Sequence, residues 1–349
     1  MIASLINNIL PFLVILTVLV FVHELGHYLI ARINGVKVEV FSIGFGKELF
    51  GFNDKLGTRW KFSLIPLGGY VKMHGDLDAA STKTSDDENI DPTASFYNKS
   101  ISQRSWILFA GPAANFIFSF CILVFINIFY GFSENKPIIS EIEPNKPAYQ
   151  AGLEVGDLIL EVNKRKINDL LSLKDAISKN NNKQVEITLS RNDKIKTFNV
   201  FVEDNKIGIK GTLEVKKLNF IDSIFKSSYQ IYYFIKITLI GIYEIFSGTR
   251  GTDDLGGPIR IAELSADFWS QGVQSTLWFM MIISLNLGLI NLFPIPMLDG
   301  GHLVLNFIEF VKGSPLNKKS LEVVHSIGFA ILVSLMIFAT YNDISRFFG

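Results

Sequence analysis

An H-E-x-x-H motif, His23-Glu24-Leu25-Gly26-His27, sits inside an almost unbroken apolar run from Ile9 to Ala31, and that setting restricts the fold more than any other feature of the chain. About 20 apolar residues suffice for a helix to cross a bilayer. In lipid only a helix or a closed barrel satisfies every backbone polar group, so the segment reads as a transmembrane helix. Histidines at i and i+4 share one helix face and can hold a metal ion together, with the glutamate between them a candidate general base. Ionisable side chains at membrane depth cost a few kcal/mol each and are functional or paired. The alternative, a chance motif of hydrogen-bonded structural histidines, leaves that cost without a purpose.

Of the 349 residues, 48% are hydrophobic and 30 are Phe, while 33 Lys and Arg balance 33 Asp and Glu. An apolar excess gathered into long runs indicates an integral membrane protein. Balanced charge without a basic block argues against nucleic acid as a partner. Cys121 is the only cysteine, which excludes an intramolecular disulfide and a cysteine metal cluster. The first Lys or Arg is Arg32 and no small-residue cleavage site follows the apolar run, so the first span is expected to be retained rather than removed as a signal peptide.

Four segments are long and apolar enough to span, about Leu5 to Ala31, Trp106 to Phe132, Leu277 to Pro294 and Val323 to Tyr341. A fifth, Ile224 to Phe246, carries Lys226, Gln230, Lys236 and Glu244. It suits an amphipathic helix lying at the interface better than a span, with both left open. Val36 to Ile43 alternates like a strand, Gly44-Phe45-Gly46 breaks it, and Thr58 to Leu64 followed by Pro66 to Met73 resumes the pattern. The acidic, Ser/Thr-rich stretch Asp76 to Pro92 is expected to be a mobile loop.

The chain divides into an N-terminal membrane region (1–132), a soluble domain (133–205), an interfacial helix region (206–270) and a C-terminal membrane region (271–349). The soluble domain has short strands at Pro137 to Ile142, Leu158 to Val162, Gln184 to Leu189 and Thr197 to Phe201, and a helix near Leu173 to Ser178. Ala148 to Asn163 resembles the A-G-L-x-x-G-D-x-I-x-x-V-N stretch of PDZ domains. That resemblance implies a groove taking an extended peptide as an added strand; a purely structural β-domain is the alternative.

Two histidines leave a tetrahedral catalytic zinc one protein ligand short, with water completing the set. Asn291-Leu292-Phe293-Pro294-Ile295-Pro296-Met297-Leu298-Asp299-Gly300-Gly301 ends an apolar span with two prolines, which break helical hydrogen bonding and let Asp299 project from an unwound turn. His302 is the rival ligand, with the weaker structural rationale, and suits a place beside the ligands. His74 and His325 are expected to be bystanders. The Asn291 amide can donate to a substrate carbonyl or make an interhelical hydrogen bond.

His23-Glu24-x-x-His27 in a first membrane helix, Gly111-Pro112-Ala113-Ala114-Asn115 in a second, one PDZ-like domain and then Asn291-x-x-Pro294-x-Pro296-x-x-Asp299-Gly300 together resemble the site-2 protease family, most closely its RseP-type regulators of intramembrane proteolysis. The resemblance implies a polytopic α-helical membrane protein of about four transmembrane helices, with a membrane-reentrant β element and an inserted PDZ-like α+β domain. It implies Zn2+ held by His23, His27 and Asp299, Glu24 as general base and Asn291 in substrate handling. It further implies residence in a bacterial inner membrane with the PDZ-like domain in the periplasm, and single-span substrates such as anti-sigma factors or remnant signal peptides. The fuller RseP-type members carry two tandem PDZ domains; this chain has one. Two other readings are a non-haem iron oxygenase, whose metal is also held by two His and a carboxylate, and a non-catalytic scaffold that gathers peptides through the PDZ-like domain.

Overall fold

The computed structural model describes residues 2–75, 91–134, 136–211, 214–249, 251 and 256–348. Most of the expected 76–92 loop therefore lies outside the described residues. The chain forms two compact units, Met1–Ile126 with Phe220–Gly349, and Asn127–Asn219.

Helix α1 (Ile2–Ile33) carries the H-E-x-x-H motif. Strands β1 (Val38–Asn53) and β2 (Arg59–Met73) follow as a hairpin. Its turn is organised by Asp54, whose carboxylate accepts from the Leu56 and Thr58 amides, the Tyr28 hydroxyl and the Trp60 indole at 2.8–3.0 Å. Tyr28 thereby ties the hairpin to α1, and Phe41 stacks on Trp60 at 4.2 Å in the same buried cluster. Both strands are bent, so Val40 to Ile43 face Gly69 to Lys72 as well as Arg59 to Phe62. The Gly44-Phe45-Gly46 break expected from sequence is a kink instead. Gly44 and Gly46 take φ of 89° and 85°, values that only glycine adopts readily, while the strand continues to Asn53. Helix α2 (Ile101–Phe129) completes this half.

The second unit contains β3 (Phe132–Glu134), β4 (Ile139–Ile142), α3 (Pro147–Gln150), β5 (Leu158–Val162), β6 (Arg165–Lys166), α4 (Leu170–Ser178), β7 (Gln184–Arg191), β8 (Lys194–Phe201), β9 (Ile209–Gly211) and β10 (Glu214–Lys216). A four-stranded sheet in the order β6-β5-β7-β8 is joined by the pairs β4-β9 and β3-β10. Its own core is built from Ile139, Ile159, Ile187, Leu189, Val200 and their neighbours. Asp169 caps α4 in a capping box with Ser172. The unit extends past 133–205 on both sides, because β9 and β10 return to pair with β4 and β3.

Helices α5 (Phe220–Phe246), α6 (Pro258–Ser270), α7 (Val273–Asn291), α8 (Asp299–Lys312) and α9 (Lys318–Phe348) form the C-terminal part. Among the described residues, four helical stretches are long and apolar enough to cross a membrane: Ile9–Ile33, Ile101–Phe129, Val273–Asn291 and Lys319–Arg346. The third begins earlier and ends before Phe293-Pro294, and the fourth runs longer than expected; α5 is not among them. The buried Asp343 of α9 accepts from the Gly257, Ile259 and Arg260 amides at 2.8–3.1 Å, capping α6 with a carboxylate from a distant helix. Helix α8 is fastened to α2 by Arg104–Glu309 at 2.6 Å and by Asn306 to Ser105 at 3.2 Å.

Candidate metal centre

Helical spacing stacks His23 and His27 on one face of α1, with ring centroids 4.8 Å apart and planes nearly perpendicular. Their Nε2 atoms are 3.2 Å apart. Asp299 enters from the other end of the chain, in the first turn of α8, because residues 292–298 leave the helix and Met297 takes the left-handed φ of 80°. Strain of that kind in a non-glycine residue survives where surrounding structure enforces it. The Asp299 carboxylate lies 3.2 Å from His23 Nε2 and 3.4 Å from His27 Nε2.

Those separations test the site for zinc. Zinc–ligand bonds of about 2.0–2.1 Å arranged tetrahedrally place ligand atoms about 3.4 Å apart. The two Nε2 atoms, 3.2 Å apart, stand close to that separation, and Asp299 turns Oδ2 to His23 at 3.2 Å and Oδ1 to His27 at 3.4 Å, so two imidazoles and one carboxylate converge closely enough to share a single ion. His27 Nδ1 lies 2.8 Å from the Ile107 carbonyl; donating there, it leaves the Nε2 lone pair directed at the centre. These three residues are the one metal-ligating cluster found among the described residues.

The remaining expected residues take distinct places. Glu24 and Asn291 line the same cavity of about 190 Å³, together with Gly69, Tyr70 and Val71 of β2 and with His302. Asn291 Nδ2 is 3.5 Å from His23 Nε2. His302 lies outside the three-residue cluster and its ring is 5.3 Å from that of His325. His74 pairs with Glu39 at 2.8 Å. A Cβ on Gly69 would lie 2.8 Å from Val20 Cγ1 and 3.2 Å from Glu24 Cγ; glycine lets β2 run directly along the motif.

Two residues of α2 complete the centre in ways the motif spacing does not disclose. A Cβ on Gly111 would overlap His27 Nε2 and lie 2.8 Å from His23 Cε1, so α2 closes on the imidazoles only because position 111 has no side chain. Asn115, fully buried, lies 3.2 Å from His23 Nδ1. The legible signal for Asn115 is its amide within an apolar span.

Two histidines and a carboxylate inside a chain of membrane-crossing helices, with a glutamate next to the first histidine, define a multi-pass membrane metallohydrolase. The model of Peptidase family M50 matches residues 11–335. The chain belongs to this family, the site-2 proteases, and is a zinc-dependent metalloendopeptidase of the membrane. Among its relatives, a "Putative zinc metalloprotease" of Rhizobium meliloti is 34% identical, covering 97% of this chain and 96% of its own length. One from Rickettsia conorii is 36% identical over 98% and 99%, and one from Campylobacter jejuni 36% identical over 96% and 92%. Among solved structures, the PDZ domain of an SdrC-like protein from Listeria monocytogenes is 20% identical, with a TM-score of 0.21, covering 22% of this chain and 88% of that one.

Proposed function

We propose that His23, His27 and Asp299 hold the zinc ion, that Glu24 is the general base, and that the enzyme hydrolyses peptide bonds in or near the transmembrane segments of single-span membrane proteins. The observation that carries this reading is the convergence of His23 Nε2, His27 Nε2 and the Asp299 carboxylate, whose Oδ2 lies 3.2 Å from the first and Oδ1 3.4 Å from the second, while the two nitrogens are 3.2 Å apart. Zinc in such a site lowers the pKa of bound water and polarises the scissile carbonyl. Glu24 removes a proton from the attacking water as the new C–O bond forms, then delivers it to the amide nitrogen as the C–N bond breaks, giving a free carboxylate and amine. Asn291, on the cavity wall, donates to the substrate carbonyl and holds it in register with the attack.

A helical substrate keeps its amides in i to i−4 hydrogen bonds and has to unwind before any of them is cut. The Gly69–Met73 edge of β2, which lines the cavity, supplies replacement pairing by adding the unwound segment as a strand. The apolar side chains exposed on this hairpin, Phe45, Leu49, Phe50 and Leu64 among them, suit a β element dipping into the bilayer. Anti-sigma-factor-like proteins and remnant signal peptides are the substrate classes this architecture accepts, in a bacterial inner membrane. The PDZ-like unit lies on the periplasmic side and takes an extended peptide there.

Detergent-purified full chain with a single-span model substrate, wild type beside Glu24→Gln, tests the reading. The expected outcome is at least about a 100-fold loss of cleavage with zinc stoichiometry unchanged. Proteolysis retained in Glu24→Gln removes Glu24 from the role of base.

A further inference from the structure

Asn115 sits in α2 with no exposed surface, in a span where an amide is costly unless bonded. Its Nδ2 lies 3.2 Å from His23 Nδ1, the ring nitrogen other than the Nε2 that faces His27 and Asp299. Its Oδ1 is buried with no hydrogen-bond partner among the described residues. Neutral imidazole carries a single ring proton. With the Asn115 NH2 group donating to Nδ1, that proton sits on Nε2, which then has no lone pair for a metal. A half-turn of the carboxamide places Oδ1 against Nδ1. The proton moves to Nδ1, the Nε2 lone pair is freed toward Asp299 and His27, and Oδ1 leaves no donor behind.

We infer that Asn115 is a positioning residue of the zinc centre: its amide oxygen accepts from His23 Nδ1–H and so fixes the ring tautomer and orientation in which Nε2 binds metal. The inference rests on His23 being a ligand, as proposed above. His27 has the corresponding arrangement, its Nδ1 held 2.8 Å from the Ile107 carbonyl, so α2 provides an acceptor for both histidines of α1. Position 115 is itself fixed, since its backbone carbonyl accepts from Ser119 at 2.8 Å and from Ser284 of α7 at 3.0 Å. Partners of this kind orient a metal-binding imidazole and raise its basicity, and losing one weakens metal binding about 10- to 100-fold.

The test is zinc affinity by chelator competition on the full chain in detergent, together with the visible spectrum of the cobalt(II)-loaded protein. Asn115→Leu, which keeps the volume and loses the acceptor, is expected to weaken zinc about 10- to 100-fold and to alter the cobalt bands. Asn115→Asp, which keeps an acceptor and cannot donate, is expected to match or exceed wild type in zinc affinity. Ser284→Ala removes one of the two fastenings of the Asn115 carbonyl, leaves Ser119 on it and keeps the Asn115 carboxamide, and is expected to change both readouts far less than Asn115→Leu. Wild-type affinity in Asn115→Leu, a weakening in Asn115→Asp as large as that in Asn115→Leu, or an equal loss in Ser284→Ala overturns the inference. If Asn115→Leu fails to fold, Asn115→Asp against wild type still decides. Zinc affinity unchanged in His23→Ala would instead overturn the ligand assignment on which the inference rests.

Discussion

At the scale of single residues the centre is decided as much by what is missing as by what is present. Gly111 contributes no chemistry, yet a methyl group there would occupy the space of His27 Nε2 and press on His23 Cε1. The helix cannot withdraw to make room, because Asn115, one turn on, is fastened to Ser119 and Ser284. The imidazoles must turn away instead. Overpacking of this kind costs about 1–3 kcal/mol, which for a ligand ring appears as a loss of zinc affinity of about tenfold or more. Gly111→Ala is therefore expected to fold and to lose zinc under dialysis that leaves wild type loaded, as metal analysis of the two proteins would record. Full zinc retention in that variant would mean that α2 stands further from the rings than described. Sequence singles out His23, Glu24, His27, Asn291 and Asp299 as candidates from chemical type, spacing and the family resemblance, and the structure brings them to one cavity. Gly111 and Asn115 stand in the sequence only as part of the Gly111 to Asn115 stretch that carries the family resemblance, with no chemistry assigned to either, because their roles arise from contacts with residues more than 80 positions away.

At the scale of elements, the long apolar helices and the β5, β7 and β8 strands were legible because burial imposes a period or a length. Tertiary demands were not. Asp299, expected in an unwound turn, instead opens helix α8, which continues straight through Gly300 and Gly301, both buried in its first turn. The hairpin likewise continues through Gly44 and Gly46, where an alternating pattern alone indicates an end. A different long-range tie joins the start of β5 to the end of β7. Asp157, its side chain fully buried, receives Arg191 Nε and Nη2 at 2.7 Å each and the Glu154 amide at 2.9 Å. Burial pushes its carboxyl upward, but the bidentate Arg191 contact and the Glu154 amide outweigh it and hold the carboxyl below its ordinary value. A depressed folded value makes the ionised form stabilising, so the contribution is complete above the unfolded value of about 3.9. It is lost as pH falls from there through the folded value, where the native state too takes a proton. Denaturant unfolding of residues 127–219 is expected to show stability declining as pH drops below about 4, and Asp157→Ala is expected to cost about 2 kcal/mol at neutral pH and to flatten the decline. An equally steep decline in the variant would assign the acid sensitivity to other carboxylates.

At the scale of the whole molecule, one compact unit is inserted in the sequence of another. Every residue assigned to the metal and its surroundings, from His23 and Glu24 through Gly111 and Asn115 to Asn291 and Asp299, belongs to the unit that contains both ends of the chain. The inserted unit has its own apolar core. Its two ends also meet, Phe132 pairing with Lys216 and the Leu218 amide donating to the Asn127 carbonyl at 3.1 Å. Chain entering and leaving such a unit at neighbouring points is the arrangement that tolerates insertion and removal. A short Gly/Ser connection can span that gap at little loop-closure cost. Replacing residues 132–216 by such a linker is therefore expected to leave zinc stoichiometry and chelator-resistant binding as in the full chain, and to alter the preference between substrates if the inserted unit imposes one. Zinc analysis of the shortened protein, with cleavage of a short and a bulky single-span substrate measured in parallel, separates the two contributions. Zinc lost on excision would mean that the ligand set depends on the inserted unit. Zinc kept with an unchanged preference between the two substrates would remove selection by size from its role.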